Sequence, residues 1–262
     1  MDLESTIAHH LFDSAPYLKL FKLGGIEFNI TKHLVIMWLV GGFMLALFSF
    51  AARGTSRTAV LLRAALEGVA LYLRDEIIEP ILGHDAGKYL HYFLTLFFFI
   101  LFCNLAGLIP GSATATGNIS VTGGLAFCSF GLVMVAGYRA QGGLLKFLGH
   151  FIPLGHDAAL PLKLALGPLL FVLEFGGIMV KCAVLMLRLF ANMIAGHIVI
   201  LGIMSLIFIF GAVSQWMGIG AGVFSVALIT FVSCLELLIC LLQAFVFTLL
   251  TAVFVGSVVH AH

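Results

Sequence analysis

The chain has 262 residues, of which 62% are hydrophobic and 10% charged, with a formal net charge of +1. A water-soluble domain of this length carries far more charge; the near-zero net charge says nothing about nucleic acid, and no nucleic-acid partner is expected. What remains is a polytopic membrane protein whose solvent is lipid.

In chain order, residues 1–31 are mixed and polar and read as a surface arm. The opening "MDLESTIAHH" lacks the basic region and apolar core of a secretory signal, so the mature chain is expected to begin there. Leu34 to Ala52 is an apolar run long enough for one span. In the following "TSRTAVLLRAALEGVALYLRDEIIEPILG", Arg63, Glu67 and Arg74 stand four and seven apart and share one helical face. This segment predicts an amphipathic helix on the membrane surface, ended by Pro80 and Gly83. Leu90 to Ile109 is a second span, closed by "GLIPG", and Ile119 to Tyr138 is a third. Two much longer apolar stretches follow, Leu164 to Ala212 and Trp216 to Val259. As one helix the first would run roughly 70 Å, more than twice the hydrocarbon thickness, so each is two spans or one steeply tilted helix. Their joint, "GAVSQWMGIGAG", is uncharged and glycine-rich, as a hairpin turn requires. The fold class expected is all-α: about five transmembrane helices plus one interfacial helix, the last two forming a long tilted hairpin, with residues 32–262 as one transmembrane domain.

Positive charge sets orientation. The connections 53–88 and 139–163 carry Arg53, Arg57, Arg63, Arg74, Lys88, Arg139, Lys146 and Lys163, whereas those near 110–118 and 211–220 carry none. The basic connections face the cytoplasm, which puts the N-terminus outside and the C-terminus inside; Lys19, Lys22 and Lys32 weigh the other way but are outvoted. The five cysteines, Cys103, Cys128, Cys182, Cys234 and Cys240, all lie in apolar runs. They read as apolar fillers and not as a disulfide framework or zinc site, and no metal or cofactor is expected.

The chemistry lies in polar residues inside the spans. Each charge at mid-membrane costs roughly 2.5–3.5 kcal/mol on insertion scales, so function is the default reading. Glu174, Lys181 and Arg188 are spaced seven and seven, one drifting stripe on a helix, and Asn192 extends it. His197 follows. In the last stretch Glu236 and Gln243 are again seven apart. Residues level with each other in an antiparallel hairpin have nearly equal index sums. By that test Gln243 faces the level of Arg188, and His197 meets Glu236 nearer the outer side, with the turn near residue 216. His197 and Glu236 form a titratable pair suited to proton relay. Lys181 either snorkels or pairs with Glu174, or serves function; His33 and His91 read as interface residues, and the terminal "HAH" as a solvated tail. Arginine stays protonated, so Arg188 acts only as a fixed charge on a neighbour's proton affinity. It asks for a carboxylate that this chain does not supply at that level.

At these residues the sequence resembles subunit a of the rotary F-type ATP synthases. "LRLFANMIAGH" (187–197) is similar to the family's arginine-bearing segment and "LLQAFVFTLLT" (241–251) to its last helix; "FCNLAGLIPG" (102–111) and "TGNISVT" (116–122) resemble its shorter spans. The resemblance runs from about residue 32 to the end. It implies that Arg188 faces a carboxylate on a rotating ring of c subunits, with Asn192 and Gln243 as polar neighbours. It implies that His197 and Glu236 form the outer half-channel pair, positions that hold one acid and one histidine in either order, and that Asn104 lines the same half-channel. Gly107 stands where the family sometimes has an acid. Glu174 matches an acid of the inner half-channel. The implied protein is a non-catalytic stator subunit in a bacterial inner membrane, or an organelle derived from one. Its implied partners are c-ring proteolipids, peripheral-stalk b subunits and membrane lipid.

Two other classes are weighed. An autonomous proton-coupled transporter or channel would want a self-contained charge pair at mid-membrane and usually an inverted repeat, and neither is visible. An intramembrane enzyme or haem protein would want a nucleophile–base pair, or histidines paired at one depth. Co-purification with a small two-helix proteolipid carrying one mid-membrane acid separates these readings. Protons are the expected coupling ion, because His197 and Glu236 titrate and neither is a preferred sodium ligand.

Overall fold

The computed structural model describes residues 18–23, 26–109, 115–143, 147, 149 and 160–259. The elements in order are strand β1 (Leu18–Leu23), strand β2 (Ile26–Ile30), helix α1 (Lys32–Arg53), α2 (Arg57–Leu73), α3 (Glu79–Leu82), α4 (Ala86–Gly107), α5 (Ile119–Gln141), α6 (Leu160–Val213) and α7 (Gln215–Val259). From Lys32 onward every regular element among the described residues is helical, the fold class the sequence leads one to expect. The departure is in the N-terminal arm, where β1 and β2 pair antiparallel, Leu18 opposite Ile30 and Leu23 opposite Ile26. The terminal "HAH" and most of the loop 139–163 lie outside the described residues.

Among the described residues, five helical segments are long and apolar enough to cross a membrane: Lys32–Arg53, Arg57–Gly107, Ile119–Gln141, Leu166–Val213 and Trp216–Val259. The second combines the amphipathic α2 with the apolar α4. The backbone between them is not regular, because Gly83 takes φ 52° and ψ −126°, a conformation that only glycine adopts without strain. The sequence places a stop at both Pro80 and Gly83; only Gly83 ends a helix. Pro80 stands in the first turn of α3. Ahead of it the ladder widens into a π-turn over Arg74–Ile78, with Glu79 N–H donating to Arg74 O. Such widening relieves the clash and missing donor that a proline brings to a regular ladder.

Ser56 caps α2, its Oγ accepting from Ala59 N–H at 3.2 Å. Only Ala59 and Leu73 of this helix are buried. Val60, Leu61, Leu71 and Tyr72 are exposed beside an exposed Arg63–Glu67 ion pair of 2.7 Å. Exposed apolar and charged side chains on one helix suit an interfacial position.

Each of the two long stretches is one continuous helix, which decides between the two possibilities left by the sequence. Helix α6 has 54 residues and α7 has 45. At ~1.5 Å per residue each far exceeds a ~30 Å hydrocarbon layer, so each must tilt to stay in it. The joint is the single residue Ser214, whose carbonyl accepts from Gly218 N–H at 2.9 Å. So tight a turn brings backbones together: a β-carbon on Gly218 would lie 2.8 Å from the Cα of Gly211.

The chain falls into two compact units, each built from three separate segments. One comprises residues 1–55, 97–122 and 188–245. In it α1 meets the second half of α4 through edge-to-face rings, Phe43 with Phe102 at 5.6 Å and Phe48 with Phe98 at 5.1 Å. The other comprises residues 56–96, 123–187 and 246–262. Its core includes Leu73, Ile78, Leu82, Phe93, Val133 and Val255, all almost fully buried. Gly256 lets the end of α7 approach α3, since a β-carbon there would lie 2.8 Å from Ile81 Cγ2 and 3.2 Å from its carbonyl oxygen.

Candidate functional site

Within the first unit, the two halves of the α6–α7 hairpin bring His197 and Glu236 together, as their index sum expects. His197 Nδ1 lies 3.8 Å from Glu236 Oε1. The surroundings differ: the Glu236 side chain is 6% exposed and that of His197 33%. The separation is too long for a hydrogen bond, and Glu236 Oε1 accepts none among the described residues. His197 Nδ1 instead lies 3.0 Å from the carbonyl of Met193, one turn earlier. A hydrogen bond there puts the proton on Nδ1 and leaves Nε2 to accept in the neutral ring.

Gly196 makes this arrangement possible. A β-carbon on it would overlap Glu236 Oε1 and lie 2.7 Å from Cδ. The carboxyl group therefore sits against bare backbone. In the sequence Gly196 is signalled only by its index sum with Glu236, which places the two opposite each other.

One turn beyond Glu236, the Cys240 carbonyl accepts from Asn104 Nδ2 at 3.4 Å. Asn104 is 1% exposed, and its Oδ1 has no hydrogen-bond partner among the described residues. Unsatisfied Asn104 Oδ1 and Glu236 Oε1 thus flank neighbouring turns of α7, an arrangement that costs free energy unless polar ligands or protons use it.

Arg188 and Gln243 are expected at one level of the hairpin. Gln243 is 4% exposed, while Arg188 is exposed, and no hydrogen bond links them among the described residues. Equal index sums fix level along a hairpin but not the side of each helix on which a residue lies. Here Gln243 is on the packed side of α7 and Arg188 on the open side of α6. Asn192, one turn on, is half-buried. Among the described residues Arg188 has no carboxylate within ion-pair distance.

In the second unit, Glu174 and Lys181 are both exposed, and they make no ion pair with each other among the described residues. The Lys181 ammonium lies instead 5.6 Å from the centroid of the Phe254 ring, within cation–π range. Phe254 carried no sequence signal, being one aromatic in an apolar run. Of the two histidines near span ends, His33 is 7% exposed and His91 is exposed.

Comparison with known proteins gives one consistent result. The family model described as ATP synthase A chain matches residues 34–256. The ATP synthase subunit a of Pelodictyon phaeoclathratiforme is 39% identical, over 95% of this chain and 74% of that protein. The ATP synthase subunit a of Chloroherpeton thalassium is 36% identical, over 98% of this chain and 76% of that protein. That of Myxococcus xanthus is 39% identical, over 91% and 76% respectively.

Proposed function

Because this chain belongs to the ATP synthase A chain family, we propose that it is the proton-conducting stator subunit of an F-type ATP synthase, multi-pass in the cell inner membrane. It performs no bond chemistry itself. It works beside a ring of c subunits, each with a mid-membrane carboxyl group, and is anchored by peripheral-stalk b subunits. The observation that carries this reading is Arg188: an exposed guanidinium in an apolar helix, with no carboxylate to meet among the described residues. So costly a charge has its partner on another protein.

Protons enter from outside past Asn104 and reach the His197–Glu236 pair. A relay across their 3.8 Å gap needs one bridging water or a small rotation. Asn192, between Arg188 and His197 on α6, and Gln243, seven residues past Glu236 on α7, supply polar contacts on the way to a ring carboxylate. The carboxyl group, once protonated, is neutral and turns through lipid at low cost. After nearly a full revolution it gives its proton to an inner half-channel lined by Glu174.

Arg188 enforces the order of events. It stays charged throughout and favours the ionised form of a nearby carboxyl, lowering its pKa by roughly 1–3 units. A protonated carboxyl gains no ion pair there and does not repay desolvation of the guanidinium, so the ring passes Arg188 only after release. The two half-channels thus exchange protons only by way of the ring. The N-terminus is outside and the C-terminus in the cytoplasm, as the basic connections indicate.

The experiment is ATP-driven acidification of inverted vesicles carrying Arg188→Ala in an assembled complex. Loss of pumping is expected, together with a passive proton leak. Normal pumping overturns the proposal.

A further inference from the structure

We propose that Phe254 is a positioning residue: its ring holds the Lys181 ammonium back, so that Arg188 is the one cation a ring carboxylate pairs with. This rests on the reading of Arg188 given above. Lys181 and Arg188 are exposed cations seven residues apart on the same helix. A carboxylate moving past this helix in a low-dielectric layer is attracted to both. Pairing with Arg188 serves coupling; pairing with Lys181 would be a dead end, because an ammonium on a flexible four-carbon stem can follow the carboxylate and retain it.

The usual way to restrain such a lysine is an ion pair. Glu174, the nearest acid on the helix, makes none with Lys181 among the described residues, which leaves its carboxyl group for protons. The ammonium is found 5.6 Å from the Phe254 ring centroid. A ring face stabilises the cation without consuming a carboxylate or adding a titratable group. Phe254 suits this task because it is itself fixed. It is 9% exposed, between buried Ala252 and Val255, and Gly256 two residues on packs against Ile81.

The test is ATP-driven pumping by the whole complex in inverted vesicles, normalised to assembled complex. Phe254→Leu removes the ring face, and pumping should fall by about three- to tenfold. Phe254→Tyr keeps the face and should stay within about twofold of the unsubstituted protein. Adding Lys181→Gln to Phe254→Leu removes the freed charge and should restore pumping. A role in packing alone predicts no such rescue. Should Phe254→Leu fail to assemble, pentafluorophenylalanine at position 254 keeps the shape while reversing the ring's quadrupole, and the same loss and the same rescue are expected. No loss in either variant, or a loss that Lys181→Gln does not repair, overturns the inference. Arg188→Ala is measured alongside. If it pumps normally the underlying reading has failed; if it is inactive while the rescue is absent, only the role of Phe254 has.

Discussion

The carboxyl group of Glu236 occupies the space that a β-carbon on Gly196 would fill. The residue after Gly196 is His197, whose Nδ1 is 3.8 Å from the same carboxyl oxygen. The glycine sets the separation of a titratable pair by being absent as a side chain.

Gly196→Ala is therefore expected to push the Glu236 side chain away from His197. The chain ends in a movable carboxyl, so the stability cost is small, about 1–3 kcal/mol at most. The cost in function is larger, because proton transfer tolerates little added distance. Proton flux through the complex should fall at least tenfold with assembly intact. Unchanged flux in the alanine variant would show that the pair's spacing does not matter.

Glu236→Gln keeps shape and removes the proton site. Flux should slow sharply. The double exchange His197→Glu with Glu236→His restores one acid and one base at the same level, and part of the flux should return. Full flux in the single Gln variant would make the pair merely structural.

Arg188→Lys keeps the net charge and loses the planar fork. A lysine places one point charge on a flexible stem, with none of the bidentate geometry that fits a carboxylate. Coupled pumping should drop at least tenfold. Pumping equal to the arginine protein would show that charge alone suffices.

Gly256→Val tests packing in the second unit. The added atoms would meet Ile81 at its carbonyl and Cγ2, and backbone cannot step aside cheaply. Overpacking of this kind costs about 1–3 kcal/mol or more. The amount of folded chain recovered from membranes should fall, with Gly222→Val, where a β-carbon meets nothing within 4 Å, as the tolerant control.

Topology is open to labelling. Single cysteines near residues 114 and 216, in a chain whose own five are replaced, should react with impermeant reagents from outside, and one in the loop 139–163 from the cytoplasm. Reaction near 216 from the cytoplasm alone would reverse the assigned orientation.

The lipid solvent, the spans and the short list of polar residues are all legible in residue order alone. Membrane insertion leaves a signal that needs no partner: apolar runs of a set length, loop charges on one side, and a few expensive residues whose cost is legible wherever they fold. The index sum even paired His197 with Glu236, because a hairpin with a one-residue turn constrains level along its axis. Which side of a helix faces its neighbours is a property of tertiary packing. That is why Gln243 turned out buried and Arg188 exposed, why Lys181 meets the ring of Phe254 and not Glu174, and why Gly196 matters at all. Contacts of this kind depend on side-chain directions and on space left by others. Period and spacing along one chain do not encode them.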